Sequence, residues 1–66
     1  MKLHFDKDAD ALYLKLDESA IIESEEVRPG VVLDFNASDQ VVGIELLGIG
    51  KRVSADALKE VAFQVA

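Results

Sequence analysis

Cysteine is absent from the 66 residues, which excludes disulfides and the thiolate-rich structural zinc sites that let other very small domains supplement a thin core. Stability has to come from packing. No apolar run approaches the roughly 20 residues needed to span a bilayer, and Met1-Lys2-Leu3-His4-Phe5-Asp6 lacks the apolar centre of a signal peptide. The chain therefore reads as cytoplasmic, with no membrane partner. Cations are also scarce. Seven Lys and Arg stand against thirteen Asp and Glu, for a formal charge of −6 and a pI near 4.5. Duplex affinity comes mainly from cations neutralising phosphates, so this balance disfavours a nucleic-acid partner. The only local basic cluster is Lys51-Arg52. The usual constructions for nucleophilic catalysis are missing as well: there is no Gly-x-Ser-x-Gly elbow and no Gly-rich phosphate loop before a helix. The single histidine, His4, falls on a short first strand, where a surface or packing role fits better than that of a base. The sequence names no activity; neither an enzyme nor a cofactor is expected.

Apolar material is plentiful. Half of the residues (50%) are hydrophobic and the mean hydropathy is +0.17, whereas a chain of about this length buries only about 60% of the surface its unfolded form exposes. Self-association is the natural outlet, because a subunit interface buries what a monomer leaves wet, and a homodimer or higher homo-oligomer is expected. No linker, repeat or low-complexity tract divides residues 1–66, which read as one small domain.

The periodicity is that of strands, and the expected class is α+β, mainly antiparallel β: a meander of four or five short strands with one short C-terminal helix. Leu3 and Phe5 share one side of the first strand, and Leu12, Leu14 and Leu16 face the core from the second. Ile21 to Val27, rich in carboxylates, fits a guarded edge strand. Arg28-Pro29-Gly30 is a turn, followed by a strand carrying Val31, Leu33 and Phe35 on one face. Asn36 to Gln40 forms a hairpin loop. Beyond it Val42, Ile44 and Leu46 point inward and Val41, Gly43 and Glu45 outward. With the loop at Ala37 to Gln40, Leu33 lies opposite Ile44 and Asp34 opposite Gly43, whereas a bulge at Asp39 would exchange the faces. Gly48 to Arg52 reads as a flexible connector and Ser54 as a helix N-cap. Residues 61–65 fit a terminal strand about as well as a continued helix.

The residues so assembled resemble a small prokaryotic family catalogued as a domain of unknown function, number 2283. The resemblance rests on Phe5-Asp6-Lys7-Asp8-Ala9-Asp10-Ala11-Leu12-Tyr13-Leu14, on Glu25-Glu26-Val27, Pro29-Gly30-Val31 and Asp34-Phe35, and on Val41 to Leu47 and Lys51-Arg52-Val53. It implies a compact domain of antiparallel strands with a small C-terminal helical element, and no activity. Asp39 departs from the pattern, since a glycine is more usual at that loop position.

Three groups of residues invite a chemical reading. Asp6, Asp8 and Asp10, with Asp17 further on, imitate the ligand spacing of a calcium loop. However, Ala11-Leu12-Tyr13-Leu14 in its middle reads as a buried strand, and capping of turn amides accounts for the same carboxylates. Strand alternation places Tyr13, Asp34 and Glu45 together on the face opposite the aliphatic set, where they would contact a partner or a ligand, or form a site between subunits. On that face Asp34 is expected either to bond turn amides after Gly30 or, in an interface, to need Arg28, Lys51 or Arg52 as a cationic partner. Glu23, Glu25 and Glu26 make an acidic stripe suited to solubility, edge protection or docking of a basic protein. The functional expectation is a non-enzymatic, self-associating interaction module, with a divalent-metal or small-ligand binding module as the alternative.

Overall fold

In the computed structural model, which describes all 66 residues, the aliphatic alternation becomes five antiparallel strands: β1 (Lys2–Asp6), β2 (Ala11–Lys15), β3 (Glu23–Arg28), β4 (Val31–Phe35) and β5 (Val41–Leu47). Each hairpin is set by the turn chemistry of its loop. Between β1 and β2 the Asp6 carboxylate accepts the amides of Asp8 and Ala9, both at 3.1 Å, and Asp10 takes the left-handed conformation (φ 51) that Asp tolerates better than most residues. Between β3 and β4, Pro29 pre-sets its own φ and Gly30 adopts φ +76, which a residue with a Cβ rarely accepts. Between β4 and β5 the Asn36 side-chain oxygen accepts the amides of Ser38 and Gln40, and Asp39, at φ 61, occupies the position that favours glycine.

The strand order is β1-β2-β5-β4-β3, which corrects the expected meander. The two hairpin blocks are each sequential, but β2 pairs with β5, and Leu16–Ile22 carries the chain past two strands to the far edge. Three strand spacings are about 14 Å, well within the reach of such a connection. The expected guarded edge is present, with β3 outermost. Leu33 pairs with Ile44 and Asp34 with Gly43, the register expected without a bulge at Asp39, although the loop itself spans residues 36–40. The irregularity falls instead between Asp34 and Phe35, where Phe35 pairs with Val41.

Past β5 the chain departs from expectation twice more. Gly48 to Arg52 is an ordered 3-10 turn over Ile49–Lys51, held by buried Ile49 and by Asp10, whose carbonyl and carboxylate accept the amides of Ile49 and Gly50, each at 3.0 Å. The expected C-terminal helix is only a second 3-10 turn, Ala57–Lys59. The Ser54 hydroxyl accepts the Ala57 amide at 3.2 Å, but the residue at the N-cap is Asp56, whose side chain makes no capping bond; Glu60 is already extended and no regular element follows. Such a short segment is marginal as a helix unless an apolar face is packed, and here only Leu58 is half-buried.

No second layer stands on the sheet. The molecule measures 37 × 31 × 20 Å with a radius of gyration of 12.7 Å, against about 10.8 Å for a compact domain of this length. Six residues are buried and no large side chain is fully so. Leu12, Leu14, Leu33, Ile44 and Leu46, which share one face of the sheet by their pairing, are only half-buried.

Candidate functional site

The polar face carries one connected set of side chains. Tyr13 on β2 lies opposite Glu45 on β5, and Asp34 on β4 lies opposite Gly43 on β5. Because Gly43 has no side chain, the Tyr13 ring extends diagonally over β5 and its hydroxyl donates to Asp34 Oδ2 at 2.8 Å. Ser24, paired with Asp34 across the β3–β4 ladder, donates its hydroxyl to Asp34 Oδ1 at 2.5 Å. One carboxylate, 8% exposed, thus ties β2 to β3 across two intervening strands.

The structure therefore brings Tyr13, Asp34 and Glu45 together as alternation requires, and adds Ser24, which the sequence reading missed. A signal for Ser24 exists in the ladder counted back from Pro29-Gly30. Using it requires knowing the bulge between Glu26 and Arg28, which shifts that ladder by one. The expected partners of Asp34 are corrected. It takes hydroxyls, whereas Arg28 donates to the Val27 carbonyl and Arg52 to the Pro29 carbonyl. Two O–H donors satisfy a buried carboxylate without a second charge to desolvate.

Burial pushes the Tyr13 hydroxyl up to about 12, helped by its bond to Asp34 and by the negative charges of Asp34 and Glu45. Tyr13 thus stays a neutral donor through the whole physiological range, suited to fastening strands and unsuited to acting as a base. A pH dependence follows. An unfolded tyrosine ionises near 10, so between pH 10 and about 12 the unfolded chain has released a proton that the folded chain retains. Stability is complete below pH 10 and falls through that window. Urea titrations at pH 9, 10.5 and 12 are expected to show this fall, shallower in Tyr13→Phe; equal slopes in both proteins would remove the assignment.

The other expected residues are not gathered into a site. Asp6 caps its turn, Asp10 holds the Ile49–Lys51 turn, and no group of three or more His, Asp or Glu side chains is placed to hold a metal ion. Asp17 accepts the amide and hydroxyl of Ser19, which hold its carboxyl below the usual range. The acidic stripe is divided by the strand itself: Glu23 and Glu25 share the face of Leu33, while Glu26 lies on the Asp34 side and accepts the Gly30 amide at 3.0 Å. His4 is exposed on β1 opposite Tyr13.

On the aliphatic face, Met1, Leu3 and Leu14 with Val61 and Phe63 surround an entirely apolar recess of about 530 Å³. Leu3, Leu16, Val61 and Phe63 are respectively 43, 40, 68 and 75% exposed. No helix of the structure is long and apolar enough to cross a membrane.

The family model described as "Protein of unknown function (DUF2283)" matches residues 2–49, which take in all five strands. No curated protein and no solved structure matches the chain.

Proposed function

We propose, from the premise that the chain belongs to DUF2283, a family of proteins of unknown function, that it is a non-enzymatic, self-associating interaction module whose sheet takes its second layer from another copy. The observation that carries this reading is the bare aliphatic face. A sheet with one apolar face is stable only when that face is covered, and here no regular element of the chain does so: Val61 and Phe63 reach only its β1 side, and although Val42 is buried, Leu12, Leu14, Ile44 and Leu46 stay half-buried. The accessible surface supports the same reading. It is 5136 Å² for 7.2 kDa, against about 4,100 Å² for a folded monomer of that mass. The excess of about 1,000 Å² per copy is close to the roughly 800 Å² that each partner of a standard interface contributes. A second copy suits the face because like aliphatic surfaces are self-complementary across a two-fold axis. Glu23 and Glu25, on the outermost strand, then fall at the rim, where exposed charge is tolerated.

Sedimentation equilibrium tests the reading. A dimer is expected at low micromolar concentration. Leu3→Lys, at an edge position already 43% exposed in the single chain, is expected to weaken it by about 30-fold or more, since roughly 2 kcal/mol of apolar burial is replaced by a charge. Its strand signal by circular dichroism should be unchanged. A wild-type chain that stays monomeric at 100 µM would overturn the proposal.

A further inference from the structure

We infer, resting on the self-association just proposed, that residues 60–66 pair as a sixth strand with the free edge of β1 in the second copy. The two edges of the sheet are treated differently. β3 carries Glu23, Glu25 and Glu26 and is kinked by the bulge before Arg28, both of which discourage a further strand. β1 has regular pairing to β2 along its whole length, no proline and no bulge, so its outward amides and carbonyls form a plain template.

The segment 60–66 has the properties of the missing strand. Val61, Phe63 and Val65 alternate with Ala62, Gln64 and Ala66, the period of a half-buried strand. Glu60 is extended at φ −145, ψ 132. None of these residues makes a hydrogen bond, and Val61, Phe63 and Val65 are 68, 75 and 82% exposed. The segment's position points to the second copy. Val61 and Phe63 close the recess together with Leu14 of β2 as well as Leu3 of β1, so they stand over the aliphatic face and not beside the edge in the plane of their own sheet. A second sheet stacked on that face lies about 10 Å away. The segment then sits at the level of the second sheet, at the β1 side. Seven extended residues span about 23 Å, more than the roughly 17 Å of a five-residue strand. Paired there, the segment would bury its three large apolar side chains and remove the one open edge.

The absence of native cysteine makes a direct test clean. Chains carrying only His4→Cys are mixed with chains carrying only Gln64→Cys, both positions being exposed, and treated with a short bis-maleimide. About half of the material is expected to become covalent heterodimer, the statistical share of mixed dimers in an equimolar mixture, with little product from either variant alone, and Phe63→Asp in the Gln64→Cys chain should cut the yield at least fivefold. A single chain carrying both His4→Cys and Gln64→Cys that cross-links only within itself, with no product from the mixture, or no cross-linking at all, overturns the inference. Sedimentation of the same samples separates the two failures. A dimer without the cross-link removes the strand exchange alone, whereas a monomer removes the self-association on which it rests.

Discussion

Gly43→Ala is expected to destabilise the chain by about 2–4 kcal/mol, a large share of the roughly 3–10 kcal/mol available to a domain of this length. Gly43 is buried on β5, the central strand of the sheet. A Cβ there would overlap the Tyr13 hydroxyl and come within 2.9 Å of both Tyr13 Cζ and Asp34 Oδ2. None of these atoms belongs to a freely moving side chain, because the hydroxyl and the carboxylate are bonded to each other. The tyrosine must swing away, so the overpacking is compounded by loss of a hydrogen bond to a buried charge. Urea unfolding measures the loss. Combining Gly43→Ala with Tyr13→Ala should cost well under the sum of the two single changes, because the second removes the group that the first displaces. A Gly43→Ala chain within about 0.5 kcal/mol of wild type would mean that the ring does not cross β5 at this point.

Asp34→Ala is expected to cost about 2–3 kcal/mol, since it leaves the Tyr13 and Ser24 hydroxyls without their acceptor in a partly buried site. The coupling is more diagnostic than the loss. In the Asp34→Ala background Tyr13→Phe should be close to neutral, whereas alone it strands one oxygen of a buried carboxylate, giving a coupling of about 1–2 kcal/mol in a double-mutant cycle. The alkaline behaviour should move in step. Without the bond and the charge of Asp34, the Tyr13 ionisation drops from about 12 toward its ordinary value, held up only by burial and Glu45. The stability loss then begins and ends at lower pH, which ultraviolet titration of the single tyrosine reads directly. Additive single changes would show that the carboxylate and the phenol act independently.

These two changes also mark how far the site was readable in advance. Strand parity alone put Tyr13, Asp34 and Glu45 on one face, because a period of two leaves no other arrangement once Leu12, Leu14, Leu33 and Ile44 point the other way. Parity also left Gly43 outward, and the choice of Ala37 to Gln40 as the loop, against a bulge at Asp39, put it opposite Asp34. What it did not provide was the neighbour of β2. Tyr13 reaches Asp34 only because β2 pairs with β5, a contact between segments about thirty residues apart for which no local pattern speaks. Ser24 was hidden by the bulge near Val27, and the hydroxyl partners of Asp34 were displaced in the reading by the turn amides after Gly30 and, for an interface, by the cations that a buried carboxylate more often needs.

Composition and alternation determined the rest. They specified five short strands or nearly so, the turns at Asp6-Lys7-Asp8-Ala9 and Pro29-Gly30, the carboxylate-guarded edge and the excess of apolar side chains, because turn residues and two-residue periodicity act over a few neighbours. Tertiary structure alone decided the order β1-β2-β5-β4-β3, the collapse of the expected helix to the turn Ala57–Lys59, and the aliphatic face left without a second layer of regular structure. Those features depend on which distant segments meet and on whether a layer exists for a segment to pack against, and neither is a property of any short stretch of sequence.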